Sequence, residues 1–406
     1  MNILFLTTGT FHSINEHSGY PDLLREFKKN GHKVYVVSTN ERRFRRPTEL
    51  TEEDGSFLLR VRIGNLTKTN IIEKGISLIR IEGQFKSAIK RYFSDVRFDL
   101  VLYSTPPITL VSAIEYVKRR DGATTYLLLK DIFPQNAVDI GLMSTSGLKG
   151  FLYRHFRKKE ERLYEISDHI GCMSEANVNY VIAHNPQVDP RIVEVSPNCI
   201  EVIDKSIGEE TRIEIREKYG IPINRKVFVY GGNLGKPQGV PFLIECLRKC
   251  ERSNNAFFLI VGDGTEYELI NNYIISSTPN NVKLMKKLPK EDYDSMVGAC
   301  DVGLVFLDHR FTIPNFPSRI LSYMAAKIPV IAVTDVCSDM GHVIDEGGFG
   351  WWCESNDSKA FAAIIEGSCD ANLKEMGETA FSYLLSEWDV KKQYISMISS
   401  ISKSLQ

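Results

Sequence analysis

Short, nearly continuous apolar runs alternate along the chain with stretches whose apolar residues recur every three or four positions. NILFLTT (2–8) predicts a strand, a helix follows around 21–30, Gly31 stops it, and KVYVVST (33–39) predicts the next strand. That order is a β-α-β unit. Further strands are predicted at 98–104, 124–130, 169–174 and 191–196. Such runs carry little polar alternation, as expected of strands buried on both faces of a parallel sheet. After SPNCIEVIDKS (196–206) and the charged stretch 209–220 the alternation begins again, with strands at 226–232, 256–264, 281–287, 301–307 and 329–334 and a helix over 318–327. The pattern predicts an α/β protein of two Rossmann-like parallel-sheet domains facing a central cleft. The first spans 1–205 and the second 206–384, and a terminal helix, 385–406, crosses back to the first.

Composition narrows this picture without changing it. A chain of 406 residues exceeds what one hydrophobic core normally supports, and 43% hydrophobic with 25% charged residues describes a globular protein. A net charge of −1 points to no global polyanionic partner, so any basic surface is local. The eight cysteines lie mostly in apolar runs with no C-x-x-C pair, which reads as buried thiols in a reducing compartment. MNILFLTTGTF has neither a basic leader nor a cleavage site, and no apolar window is long enough to span a bilayer. The expectation is a cytoplasmic protein that touches a membrane from one side at most.

Candidate chemistry gathers at predicted strand ends. The stretch Gly231-Gly232-Asn233-Leu234-Gly235-Lys236-Pro237-Gln238-Gly239 joins a buried strand to an apolar-striped helix, a common way to present backbone N–H groups to an anion. It matches neither G-x-G-x-x-G nor the P-loop. Two more loops leave neighbouring strands: Gly262-Asp263-Gly264, and Asn315-Phe316-Pro317-Ser318-Arg319-Ile320. With Arg319 as a forked donor and Lys236 nearby, the three loops point to a phosphate-bearing ligand. Taken singly, the glycines serve a turn equally well, and Arg319 serves a surface ion pair.

In the first half Lys130 and Asp131 emerge at the end of a strand, where they can bind an acceptor hydroxyl or close the strand end as a salt bridge. His12 and His17 sit in the loop after the first strand. The D-x-D pair Asp292 and Asp294 lies at a helix start, where acidic residues suit the dipole better than a metal, and no metal site is expected. Three basic clusters with aromatics, 42–46, 86–97 and 151–159, suggest an anionic membrane surface and no nucleic acid.

The ordered set KDIFPQNAVDIG (130–141), CMSEAN (172–177), SPN (196–198), YGGNLGKPQG (230–239), VGDG (261–264), KKLPKEDY (286–293) and FPSRILSYMAAKIPVI (316–331) resembles GT-B glycosyltransferases of family 4. More narrowly it is similar to the branch that adds N-acetylated amino sugars in O-antigen and capsule assembly, the fucosamine-type transferases. The resemblance implies a retaining, metal-independent transferase without a cofactor. Its donor would be a UDP-sugar bound mainly by the second domain. Its acceptor would be a lipid-diphosphate-linked glycan on the first domain, at the inner face of a bacterial membrane.

Carried over residue by residue, it places Gly232, Asn233, Lys236, Gln238, Ser318, Arg319 and Ile320 near the diphosphate, and counts Phe316 and Pro317 as donor-binding as well. Lys287 and Leu288 would lie near the base, and Gly262, Asp263 and Gly264 near the nucleoside. Ser18 and Gly19 would approach the pyrophosphate from the first domain, and Lys130 and Asp131 would serve the acceptor. The chain departs from the wider family where two glutamates eight residues apart are usual, since Pro314 and Ser322 stand there. It departs again at Asn233 and Gln238, where Arg and Lys are usual. A non-catalytic GT-B subunit and a GT-B sugar-nucleotide epimerase remain alternatives.

Overall fold

The computed structural model describes residues 1–66, 69 and 71–404, and the chain divides into two compact units. Unit 1 comprises Met1–Glu201 with the segment from Val390, and unit 2 comprises Val202–Asp389. Each is built on one sheet.

Unit 1 runs β1 (Asn2–Leu6), α1 (Gly19–Lys29), β2 (Lys33–Glu41), β3 (Glu49–Glu53), β4 (Ser56–Ile63), α2 (Ile71–Tyr92), β5 (Leu100–Ser104), α3 (Val111–Asp121), β6 (Thr124–Leu129), α4 (Gln135–Asp139), α5 (Gly147–Glu165), β7 (His169–Cys172), α6 (Glu175–His184) and β8 (Val193–Val195). The strand order is β3-β4-β2-β1-β5-β6-β7-β8, parallel except for β3, which pairs antiparallel with β4. The apolar runs form central strands because both of their faces are covered, and β1, β5 and β6 are almost wholly buried. The strand expected at 191–196 is shorter, because Pro190 opens a 3-10 turn over Pro190–Ile192.

Unit 2 runs α7 (Glu209–Lys218), β9 (Lys226–Asn233), α8 (Val240–Lys249), β10 (Ala256–Asp263), α9 (Tyr267–Ser277), β11 (Val282–Met285), α10 (Lys290–Gly298), β12 (Val302–Phe306), α11 (Ile320–Ala325), β13 (Val330–Thr334), α12 (Met340–Gly347), β14 (Gly350–Glu354), α13 (Ser358–Cys369) and α14 (Leu373–Glu387). Its sheet is all parallel in the order β11-β10-β9-β12-β13-β14. The order reverses between β9 and β12, so the carboxyl ends of those two strands form the topological switch point where doubly wound sheets take ligands. Phe228, Tyr230, Phe258 and Phe306 fill the core beneath it. Each such ring contributes roughly 1.5–3 kcal/mol of burial.

A buried charge cluster fixes the other end of β9. Asp301 accepts from Arg216 Nη2 at 2.6 Å, Arg212 Nη2 at 2.5 Å and the Val227 backbone N–H at 2.7 Å. Arg216 in turn donates to the carbonyls of Ala299, Pro222 and Arg225. The cluster ties α7 and the approaches to β9 and β12 to one carboxylate.

The helix expected over 385–406 is two helices. α14 stops at Glu387, Trp388 and Asp389 break the run, and α15 (Val390–Ser404) follows; residues 405 and 406 lie outside the described residues. α15 joins the core of unit 1 through Val390, Met397 and Ile401, which pack with Ile3, Phe5, Leu24 and Phe27. Gln393 Nε2 donates to Ser196 Oγ at 2.6 Å, and Ser400 donates to Glu194.

The helix expected over 318–327 is also shorter, confined to Ile320–Ala325. Its entry is a tight turn, with Leu321 N–H bonded to Ser318 O and Ser322 N–H to Arg319 O. Its exit is a left-handed residue, Lys327 at φ 55°, behind which Ile328 N–H reaches Tyr323 O. Lys327 is held there by Asp204 at 3.1 Å and Glu378 at 3.0 Å.

Candidate functional site

In unit 2 the loop after β9 is built to pass closely beneath other groups. Gly232 adopts φ 129°, a conformation side chains rarely take, and a Cβ there would stand 3.5 Å from the Arg319 guanidinium carbon. Gly262, at the end of β10, lies so near that a Cβ would fall 2.0 Å from Gly232 O. Leu234 N–H bonds to Asp263 O and Glu266 N–H to Leu234 O, which locks the two loops together. Gln238 Oε1 accepts from Asn233 Nδ2 at 2.9 Å and Gly235 N–H at 3.2 Å, and Asp308 N–H bonds to Pro237 O. Asn233 and Gln238 therefore shape the loop through their mutual bond.

Arg319 is the principal charge at this switch point. Its guanidinium carbon lies 4.7 Å from the centroid of Tyr230, and the phenols of Tyr230, Tyr323 and Tyr293 surround it. Tyr323 hydroxyl accepts from Gly231 N–H and donates to Leu304 O, each at 3.1 Å, so the phenols are themselves anchored in the fold. Arg319 is half-buried along its length, while its Nη1 is sealed from solvent with no hydrogen-bond partner. Among the described residues it makes no ion pair, so the surface salt bridge weighed from sequence does not form. A buried, unneutralised cation costs several kcal/mol unless an anion meets it.

The other sequence-derived positions of unit 2 take different roles. Lys236 is exposed at the loop apex. Ser318 is exposed and Pro317 half-buried, so both are open to a ligand. Phe316 packs edge-on against Trp388 at 5.5 Å and Ile320 is fully buried; both side chains serve the core and leave only backbone to offer. Asp263 is exposed and accepts from its neighbour Gly264 N–H at 2.9 Å. Lys287 is exposed and Leu288 half-buried in the loop after β11.

In unit 1, Ser18 precedes α1 with its side chain free of any cap bond, and Gly19 opens that helix with room for a Cβ only 3.4 Å from Cys199 O. Lys130 and Asp131 follow β6 but do not pair with each other. Lys130 Nζ turns back to the carbonyls of Ser196 (2.9 Å) and Pro197 (3.1 Å), and burial lowers its pKa to about 8. Asp131 holds both carboxylate oxygens 2.7 Å from Asn136 Nδ2, and burial raises its pKa to about 6. Thr105 Oγ1 accepts from the N–H groups of both residues and donates to Asp131 O. Asn136, within the quoted KDIFPQN stretch but given no role from sequence, is thus the group that grips Asp131.

Candidate metal ligands are already engaged by cations. His17, Asp22 and Glu201 converge, yet Arg25 Nη2 contacts Asp22 at 2.5 Å and Glu201 at 2.9 Å, and Lys29 adds a further contact to Glu201. Asp292 and Asp294 are paired with Lys218, and with Lys205 and Lys290. All eight cysteines are free thiols. Among the described residues, no helix is long and apolar enough to cross a membrane.

Residues 211–376 match the family described as Glycosyl transferases group 1. The chain is 26% identical to a probable glycosyltransferase, WbjE, of Pseudomonas aeruginosa over 81% of this chain and 80% of that one. It is 23% identical to a putative teichuronic acid biosynthesis glycosyltransferase, TuaC, of Bacillus subtilis, over 47% of this chain and 45% of the relative. Among solved structures it is similar to Anabaena Alr3699/HepE in complex with UDP-glucose, with a TM-score of 0.69, 15% identity and coverage of 98% of this chain and 100% of that one. The switch-point loops of unit 2 therefore lie inside the stretch that matches the glycosyl transferases group 1 family, and the chain has the GT-B fold.

Proposed function

We propose that the protein is a retaining glycosyltransferase that moves a sugar, an N-acetylated amino sugar, from a UDP-sugar to a lipid-diphosphate-linked acceptor in surface polysaccharide assembly. The observation that carries the donor half is Arg319, a caged cation without a counter-ion beside the positive-φ Gly232. A diphosphate at that point satisfies Nη1 and brings Lys236 onto its outer oxygens. As the bond from sugar to phosphate breaks, charge grows on the departing diphosphate. These cations neutralise it without a metal. The acceptor hydroxyl then approaches on the leaving-group face, as retention requires.

UDP and UDP-N-acetylhexosamines are expected to raise the thermal midpoint by several degrees, since a ligand at 100 times its Kd adds about 2.7 kcal/mol. No response to any uridine nucleotide would overturn the donor assignment in favour of a non-catalytic subunit. Turnover of UDP-sugar without any acceptor would favour the epimerase.

On the acceptor side, Asp131 orients the incoming hydroxyl as a carboxylate. Its pKa is raised to about 6, so it is neutral below that pH and ionised above it. Turnover should therefore rise as pH climbs through about 6, and Asp131→Asn should flatten that limb of the pH profile. A limb of unchanged position in Asp131→Asn removes this role. The same burial makes the folded protein bind this proton more tightly than the unfolded chain does. The contribution of Asp131 to stability is thus full at acid pH and lost as pH rises through about 6.

Peripheral attachment at the inner membrane face is supported by Leu142, Phe151 and Leu152, exposed in unit 1 at and just before α5, whose run continues into basic residues. Part of that charge is consumed internally, because Arg157 pairs with Glu160 and Lys159 with Glu82.

A further inference from the structure

A concavity of about 670 Å³ opens in unit 1 where the carboxyl ends of β2 and β4 meet α2. Arg42 reaches it from the turn after β2 and Arg62 from the end of β4. Ile76, Arg80 and Gln84, four residues apart, present one face of α2 to it. Three guanidinium groups thus face one carboxylate, Glu73, and that carboxylate is already occupied. It pairs with Arg42 at 2.6 Å and accepts from Thr69 Oγ1 at 2.6 Å and Asn65 Nδ2 at 2.8 Å. Among the described residues, Arg62 and Arg80 have no carboxylate partner.

The floor carries unused polarity as well. Gln84 donates Nε2 to Arg62 O at 3.2 Å, while its Oε1 is buried without a partner. Apolar side chains accompany these polar groups: Ile76, which lines the cavity, is 48% exposed, and Ile79, three residues on along the same helix, is 80% exposed. Forked cations in a concave site fit phosphate oxygens, and bare aliphatic side chains beside them fit hydrocarbon. The site also lies at the carboxyl edge of the sheet, where α/β units take their ligands.

We propose that this pocket is a subsite for the diphosphate ester of an amphiphilic acceptor, with Arg62 and Arg80 gripping phosphate oxygens and Ile76 and Ile79 meeting the first carbons of the apolar chain. The word acceptor rests on the transferase reading above; the anion site stands on its own geometry.

The test uses the full chain, with UDP present to occupy any nucleotide site, and titrates inorganic pyrophosphate calorimetrically. Arg62→Ala/Arg80→Ala should weaken pyrophosphate binding on the order of 100-fold, as expected for two lost charge-assisted contacts. Arg62→Lys/Arg80→Lys should fall between, keeping the charge but losing the fork. The stabilisation by UDP should be the same in all three proteins, so its absence everywhere would sink the donor reading while leaving the pocket intact.

Unchanged pyrophosphate affinity in the alanine variant overturns the pocket. So does an absence of pyrophosphate binding combined with variant-sensitive sedimentation on phosphatidylglycerol vesicles, which would mark a diffuse membrane-charge patch. The source of the diphosphate is read from phosphatidylcholine vesicles carrying a polyprenyl diphosphate. Retention lost in Ile76→Ser/Ile79→Ser, with pyrophosphate affinity kept, supports the lipid-borne ester. Retention unchanged in that variant overturns the amphiphile and leaves a soluble diphosphate ester.

Discussion

Arg319→Ala is expected to lower UDP affinity and sugar transfer by on the order of 100-fold or more, the cost of losing a preorganised donor to a developing anion. The distinguishing result is stability without ligand. Arg319 has no counter-ion in unit 2 and its Nη1 is unsatisfied, so removal relieves a desolvation cost and forfeits its stacking on and hydrogen bond to Tyr230. The ligand-free protein should stay within about 1 kcal/mol of the parent, whereas a purely structural arginine would destabilise it on removal. Arg319→Lys keeps the charge and loses the fork, and should retain part of the affinity. Calorimetric titration with UDP beside thermal melts of the same samples checks both halves; unchanged UDP binding in Arg319→Ala would refute the site.

Asp301→Ala should be the most damaging single change in unit 2. It strands Arg216, whose side chain is 3% exposed, along with the Val227 N–H and part of Arg212. Removing one partner of a buried pair typically costs about 3–5 kcal/mol, since the remaining charge stays desolvated. For a unit of this size that corresponds to a fall in melting midpoint on the order of 10 °C. Hydrogen exchange should localise the loss to β9 and β12 and leave β1 and β5 protected. Uniform loss across both sheets, or a midpoint within about 2 °C of the parent, would contradict the account.

What the sequence made legible follows from which forces are local. The apolar runs of β1, β2, β5, β6, β9, β10, β12 and β13 announce themselves because central parallel strands are apolar on both faces. The β3–β4 hairpin escapes notice because β3 reads ELTEE, an edge strand exposed along its middle. The terminus of α11 also escapes, because a left-handed Lys327, held by Asp204 and Glu378 from distant parts of the chain, ends a helix that its own residues would continue. The site divides in the same way. Glycines and Arg319 are visible as types at strand ends. The tyrosine cage is not, because Tyr230, Tyr293 and Tyr323 come from three separate elements and each reads as an ordinary core aromatic. The partnering of Lys130 with carbonyls more than sixty residues away is likewise a tertiary fact.

The return of α15 to unit 1 bears on how the chain folds as it leaves the ribosome. Val390, Met397 and Ile401 belong to the core around β1 and α1, and Gln393 bonds Ser196 beside the carbonyls that hold Lys130. Unit 1 is begun first yet cannot complete its core until the closing helix has been synthesised, and the whole of unit 2 is translated in between. The later half is thus the first whose core can be filled. A chain ending at residue 389, once released from the ribosome, should show a protease-resistant unit 2 attached to a unit 1 that is still easily cut, the reverse of the order of synthesis.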